Sequence, residues 1–435
     1  MNDSPVLAAG VARRIISPPR GIYLIGYGDR TRGNLGLHDD LTATALVLDD
    51  GIRRIAVVAL DLLAINEFIV DRIRARLAPT EVLLCCSHTH SGPIAYADEK
   101  SPHRNREYIA SLVENVVGAV REAQSHLLPA RLEYACGEAD VGINRRQRLP
   151  DGRMDIGRNP AGPRDNSVQV VSVLVQEKRF ATIVNYACHG TVLGPDNLLV
   201  SADWIGAMRE KVEGELGGLT LFLQGAAANI NPDMYWKHER AFEMADEQGR
   251  RVADAVLAAI SRGAEEIRAL PLRLERAEAW MPTEAPAVTS HPPKNYRKPL
   301  LTLAKLPGFM VIFADLLLNQ RYPWKSVIEA RDGFWSVPMR ANAVRIGDLA
   351  LVTFGAEVFT EIGIKVKTAS PAVHTLFASL TDGCISYLHT EEAHAEGGYE
   401  VDIAPLAYRY PGRLQAGCER IALETAQRML RRLWD

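Results

Sequence analysis

The run Leu83-Leu84-Cys85-Cys86-Ser87-His88-Thr89-His90-Ser91-Gly92-Pro93 constrains this chain more than any other stretch. It starts as an apolar segment of strand character and ends in Ser-Gly-Pro, which cannot extend a strand. Two histidines therefore fall where a buried strand gives way to a loop. Side-chain alternation along a strand places His88 and His90 on the same side, close together. Two imidazoles on one face are the start of a zinc site, because zinc takes neutral ring nitrogens held in fixed directions. Histidines satisfied by other partners or facing solvent would read the same way, so the pattern needs further donors elsewhere in the chain.

The 435 residues, 47% hydrophobic and 24% charged, suit an ordinary globular protein of one large domain or two smaller ones. A net charge of -3 gives no electrostatic reason to expect nucleic acid or an acidic membrane surface. Arg13 and Arg14 interrupt the only apolar run near the N-terminus, and no later run is long enough to span a bilayer. Neither a signal peptide nor a transmembrane segment is expected. The six cysteines form no regular framework, and Cys85, Cys86 and Cys188 lie inside apolar runs, which favours a reducing, cytoplasmic setting. A redox role for Cys85-Cys86 is poor, since neighbours in a strand face opposite ways and nothing nearby lowers a thiol pKa.

Along the chain, Gly21 to Gly28 is a turn-rich entry, and Thr42 to Leu48 and Arg54 to Leu60 are strand-like runs joined at Asp49-Asp50-Gly51. Helical spacing covers Ile65 to Leu77 and Arg104 to Ser125, the second with Ile109, Leu112, Val113, Val116 and Val117 on one side. Val168 to Val175 and Phe180 to Ala187 form another strand pair that runs into Cys188-His189-Gly190. A helix at Trp204 to Glu215, a strand at Leu219 to Leu223 and a small-residue loop from Gln224 to Pro232 follow. Arg54 to Leu60, Asp61, a helix and the Leu83 strand are echoed by Asp348 to Phe354, Glu357, a helix and His374 to Leu380; duplication or a shared βαβ habit would both give this. Met281 to Trp335 is Pro-rich and basic, then apolar from Leu301 to Leu318. It reads as an insertion in the domain, either helical packing or a lid or homo-oligomer arm beside the site. The last helix is expected over Arg413 to Leu433. The expected fold is a single α/β domain, 1–435, of mixed sheets flanked by helices, with its site at the strand ends, where α/β folds bind ligands.

Further donors stand at such ends. His189 closes a strand before Gly190-Thr191, and Glu357 follows the apolar run Leu349 to Phe354 and the small turn Gly355-Ala356. With His88 and His90 they make a plausible ligand set, in which either or both of the paired histidines could bind metal.

The blocks His88-Thr89-His90-Ser91-Gly92-Pro93, Ile143-Asn144-Arg145, Ala187-Cys188-His189-Gly190, Gly355-Ala356-Glu357-Val358-Phe359 and Tyr387-Leu388-His389-Thr390-Glu391-Glu392 through Tyr399-Glu400 occur in the order found in the catalytic domain of neutral ceramidases. The resemblance runs from Gly36-Leu37-His38 to Glu400, apart from Met281 to Trp335. It implies a zinc amidase that releases a fatty acid from an N-acylated base, with one Zn2+ per chain. The family's ligands fall on His88, His189, Glu357 and Tyr387. His90 then becomes an acid or base beside the metal, and Arg145 and Tyr399 face the carbonyl under attack. Zinc would lower the pKa of its water from about 16 to about 7. Asp61 and His38 would either support a ligand or play structural parts.

The chain also departs from that pattern. Where the family has a Gly-Asp-x-Ser-Pro-Asn block, this chain has Ala228-Asn229-Ile230-Asn231-Pro232-Asp233, so Asn231 replaces a serine near the scissile amide. A carboxamide can donate to a carbonyl but cannot become an acylated nucleophile. No immunoglobulin-like C-terminal domain and no secretion signal are expected. The expectation is a cytoplasmic zinc amidohydrolase on a small acyl substrate other than ceramide. An esterase or lactonase on the same site, or a non-catalytic zinc-bearing binding protein, are the alternatives.

Overall fold

Three times among the described residues, a β-hairpin is followed by a helix and a strand that returns parallel to the hairpin's second arm. The computed structural model describes residues 6–28, 30–93, 95, 103–233, 240–289, 327–408 and 410–435. In the first unit, Thr42–Asp49 pairs antiparallel with Arg54–Leu60, the helix Glu67–Leu77 crosses over, and Glu81–Cys86 returns in parallel. In the second, Ser167–Val175 and Lys178–Tyr186 form the hairpin, Trp204–Leu216 the helix, and Leu219–Gln224 the return. In the third, the parts are Phe334–Ile346, Leu349–Phe354, the helix Thr360–Thr368, and His374–Ala378. A parallel return needs a crossover of this kind, and a helix provides it.

Further strands widen each sheet. Ala8–Ile15 and Leu128–Pro129 extend the first, Arg131–Glu138 and Glu265–Ile267 the second, and Leu272–Pro286 the third. Because side chains alternate along a strand, each sheet has two faces to bury, and here both are buried. One face of every sheet meets a shared core: Ile55, Val57 and Leu83 from the first, Val171, Ile183 and Leu221 from the second, Val344, Leu351 and Leu376 from the third. The outer faces are covered by helices. Leu112, Val113 and Val116 of the helix His103–Ser125 lie over the first sheet. Trp204, Met208, Val252 and Val256 cover the second, and Ile362, Val366, Met429 and Leu430 the third. Each such side chain contributes about 1.5–3 kcal/mol on burial, so the three layers are held by their outer packing as much as by the central core.

The α/β class, the mixed sheets and the flanking helices are as expected, and the echo between the first and third units is matched by the second. Four expectations change. The strand Glu81–Cys86 ends before His88, whose φ is 65°, so strand alternation is not what brings the two histidines together. The expected insertion at 281–335 is narrower, because Met281 and Pro282 continue a long strand and pair with Val337 and Ser336. The rest of it, 290–326, with any lid or oligomer arm, lies outside the described residues. The final helix is Cys418–Trp434 rather than starting at Arg413, because Leu414 bridges to Thr283 and the Gln415 N–H bonds the Pro282 carbonyl, holding that stretch extended. The loop after Leu219–Gln224 contains a short strand, Ile230–Pro232, paired with Gly142–Arg148. Among the described residues no helix is long and apolar enough to cross a membrane.

Candidate metal centre

One donor reaches a common point from each of the three units. His88 follows the return strand of the first, His189 the hairpin of the second, and Glu357 the hairpin of the third. Both imidazoles are held by backbone. His88 Nδ1 lies 2.8 Å from the Leu63 carbonyl, and His189 Nδ1 lies 2.7 Å from that of Ala227 and 2.9 Å from that of Ile230. A carbonyl can only accept, so in both rings Nδ1 carries the proton and Nε2 presents a lone pair. Those two Nε2 atoms lie 3.3 Å and 3.5 Å from Glu357 Oε2, which is buried and accepts no hydrogen bond. Three lone-pair atoms facing one another repel unless a cation lies between them. Donors about 2.1 Å from a tetrahedral ion stand about 3.4 Å apart, so the spacing suits zinc. Burial, with the Arg145 charge second, pushes the His189 pKa down to about 4, which keeps the ring in the neutral form that a metal requires.

The loops that carry the histidines are tied to each other. The His90 N–H bonds the Gly190 carbonyl at 3.0 Å, and Thr89 and Gly190 form a parallel bridge. A Cβ on Gly190 would stand 3.1 Å from Thr89 Cα, so the close approach favours glycine. His90 itself is placed differently from the other two rings. Its Nε2 is 3.4 Å from His88 Nε2, but its Nδ1 is buried with no hydrogen-bond partner. His88, His90 and His189 offer nitrogens within 4.8 Å of one another, so distance alone admits His90 to the donor set. What separates it is the missing carbonyl on Nδ1, which leaves its tautomer unfixed. Burial and the neighbouring His88 hold its pKa well below the ordinary value.

Tyr387 pairs with Glu357 across a two-residue parallel ladder, which brings both to the same end of the fold. Burial, then the Glu357 charge, raises its phenol pKa well above normal, so a phenolate here would need a cation's help. Arg145 lies over both Tyr387 and Tyr399, its Cζ 5.5 Å and 5.9 Å from their ring centroids. It sits on Gly142–Arg148 where a bulge shifts the register against Met154–Asn159, which re-aims the side chain. Its Nε donates to Glu400 Oε1 at 2.8 Å and its Nη1 to Asn231 Oδ1 at 3.2 Å, while Nη2 is buried with no partner. Tyr399 and Glu400 open a single π-helical turn, Tyr399–Ile403, and burial pushes the Tyr399 phenol up to about 12. Such turns are rare and concentrate at functional sites.

His88, His90, His189, Glu357, Tyr387, Arg145, Asn231 and Tyr399 thus meet in one region. Asp61 and His38 do not contact the donors. Asp61 accepts from Thr42 and pairs with Arg209 at 2.8 Å, and His38 is stacked on Phe242, its rings 4.0 Å apart. Some residues at the site carried little warning in the sequence. A Cβ on Gly26, at φ +108°, would lie 2.5 Å from His90 Nδ1, and Tyr27 meets the same ring edge-on at 4.9 Å. Arg30 Nη1 donates to the His90 carbonyl at 2.5 Å. Only the turn-rich character of Gly21 to Gly28 hinted at this wall.

Residues 9–228 match the family described as neutral/alkaline non-lysosomal ceramidase, N-terminal. The chain is 22% identical over 459 residues to the neutral ceramidase of Pseudomonas aeruginosa, an alignment covering 87% of this chain and 66% of that protein. It is 24% identical over 252 residues to the neutral ceramidase of Oryza sativa subsp. japonica, covering 53% of this chain and 31% of that one. The chain therefore spans less than two thirds of the length of either relative. Two solved structures share the fold. A ceramidase complexed with C2 superposes with a TM-score of 0.74 at 19% identity, over 99% of this chain and 76% of that one. The neutral ceramidase crystal structure from Pseudomonas aeruginosa gives a TM-score of 0.72 at 21% identity, over 99% and 75%.

Proposed function

The chain belongs to the neutral/alkaline non-lysosomal ceramidase family, and from that premise we propose that it is a zinc-dependent hydrolase of an N-acyl amide bond. The observation that carries this reading is the convergence of His88 Nε2, His189 Nε2 and the unpartnered Glu357 Oε2, beside an unpartnered donor of Arg145. His88, His189 and Glu357 would hold the ion, with Tyr387 as a fourth ligand. Zinc, when bound, supplies a Lewis acid that acidifies water and polarises a carbonyl.

The chain's own residues then divide the work. His90, with no carbonyl on Nδ1, accepts a proton at the attack step and passes it to the leaving nitrogen. Arg145 Nη2 donates to the carbonyl oxygen as charge develops on it, and the Tyr399 hydroxyl is a second donor; one such donor is typically worth about 3 kcal/mol. The Oδ1 of Asn231 is engaged by Arg145, which leaves its amide N–H groups to meet the substrate. A side chain that cannot be acylated excludes a covalent route through this position, so water is the nucleophile. The loss of the family's serine is also the ground for proposing a smaller acyl amide than ceramide as the preferred substrate.

Zinc analysis of the wild type beside His189→Ala, together with hydrolysis of matched amide and ester analogues and of ceramide, tests the whole reading. Close to one zinc per chain, lost in the variant, and faster turnover of the short amide are expected. Full zinc in His189→Ala would overturn the ligand assignment, and faster ester turnover would favour the esterase reading. A metal-loaded protein inert on every acyl compound would favour a binding protein.

A further inference from the structure

Arg145 has one guanidinium nitrogen, Nη2, left without a partner for a substrate, and a carboxylate outside the donor set fixes where that nitrogen points. Glu400 is 2% exposed and makes two ion pairs, from Oε1 to Arg145 Nε at 2.8 Å and from Oε2 to Arg146 Nη1 at 2.9 Å. Neighbours on a regular strand would face opposite ways, and the bulge at Asn144 to Arg146 is what lets both reach one acid. Glu400 is also the second residue of the π-helical turn whose first is Tyr399. That turn is pinned independently, since Asp402 accepts from the Gly398 N–H at 2.8 Å and pairs with Arg413 at 3.0 Å.

We infer that Glu400 is a positioning residue that locks the free Nη2 of Arg145 and, through the shared turn, the Tyr399 hydroxyl into one geometry. The inference rests on Arg145 and Tyr399 being the carbonyl-facing pair. With Nε bound to Glu400, and Nη1 bound to Asn231 and 3.4 Å from His189 Nε2, the guanidinium plane has two fixed edges, and only Nη2 is left without a partner. Without Glu400 the plane can rotate about Cδ–Nε, and a donor misplaced by about 1 Å can cost a hundredfold in rate. The same acid links the site to the protein surface. Arg146 also reaches Glu396 at 3.2 Å, and Arg148 pairs with Glu396 at 2.6 Å, on the wall of a cleft of about 640 Å3. The order Arg145, Glu400, Arg146, Glu396, Arg148 alternates in sign from the buried end outward, so each cation is held by an acid.

The test uses zinc-loaded full chain, with butyrate as a carboxylate probe measured by calorimetry beside kcat and KM. Glu400→Gln is expected to lower kcat about ten- to a hundredfold and butyrate affinity about tenfold. KM should stay within about threefold and zinc content should not change. Arg145→Ala, which deletes the donor itself, should lose more, about a hundred- to a thousandfold in kcat, and the Glu400→Gln/Arg145→Ala pair should lose no more than Arg145→Ala alone, since one acts through the other. Removing an acid from between two buried arginines threatens the fold, so Glu400→Gln/Arg146→Met, which removes one cation as well, should repeat the kcat loss in a stable protein. Wild-type kcat and butyrate affinity in the Glu400 variants, or losses that multiply with Arg145→Ala, would overturn this inference and leave the proposed function standing. Unchanged butyrate binding and kcat in Arg145→Ala would overturn the carbonyl-facing role of Arg145, and this inference with it.

Discussion

The two halves of the site are built by different means. The half proposed to hold the metal, His88, His189 and Glu357, comes from the ends of the three repeating units, and its imidazoles are held by backbone carbonyls. The half proposed to face the substrate carbonyl, Arg145, Asn231 and Tyr399, comes from a bulged strand, a three-residue strand and a π-helical turn outside those units, and its arginine is held by side chains. Backbone carbonyls belong to the fold and tolerate change nearby, whereas a side-chain clamp can be loosened by one substitution. The first half should therefore fail all at once, with loss of metal. The second should fail by degrees, with metal retained.

The largest expected effect is on the first half. His189→Ala should release zinc and activity together, and chelation of the wild type should lower its stability by about 3–4 kcal/mol relative to protein at a hundred to a thousand times the metal Kd. Calorimetric melting with and without chelator checks this, and an unchanged Tm would break the comparison. Next, Arg145→Ala should keep its zinc yet lose about a hundred- to a thousandfold in kcat; loss of zinc in that variant would show that the halves are not separable.

A smaller effect concerns the loop beyond His189, which Asp203 holds by accepting from Val192 and Leu193 at 3.2 Å and 3.1 Å. Burial raises its pKa from 3.8 to about 6, against the three backbone N–H groups that favour the charged form. Between these values the folded state binds more protons than the unfolded one, so stability falls as pH rises from about 4 to about 6 and stays lower above. The difference of about 2 pKa units corresponds to about 3 kcal/mol. Urea titrations across that window should show the slope in the wild type and its loss in Asp203→Asn. The smallest effect is that of Gly26→Ala, whose methyl group would press on His90; about 2 kcal/mol of stability and a modest fall in kcat with full zinc are expected. A variant that lost zinc instead would place His90 among the ligands.

What the sequence made legible follows the same division. The apolar strands and their polar ends were visible because period-2 and period-3.6 patterns are local, and His88, His189 and Glu357 could be picked out as residues that follow such strands. The cause of the His88–His90 contact was misjudged, because a residue at φ 65° leaves no mark that separates it from one more step of strand. Asp61 looked like support for a ligand because it ends a strand, yet its charge is taken by Arg209, far away in sequence. The pairing of Glu400 with Arg145 spans 255 positions, and no periodicity announces a contact of that range. Tyr387 and Tyr399 entered only through a family resemblance, since nothing local separates a functional tyrosine from a core or rim aromatic. That Glu357 and Tyr387 share a ladder then accounts for why both can belong to the centre.

Because each unit lends one donor, a bound ion would act as a clasp across three layers, adding to the shared apolar core and to the few backbone bonds, such as His90 N–H to Gly190, that already join them. Slippage of any one layer would open the clasp, so the chain would hold its metal only when the whole architecture has docked. Hydrogen exchange in the loops around Leu63, Ala227 and Glu357 should then slow together on zinc addition, as a single cooperative event distributed over distant parts of the chain.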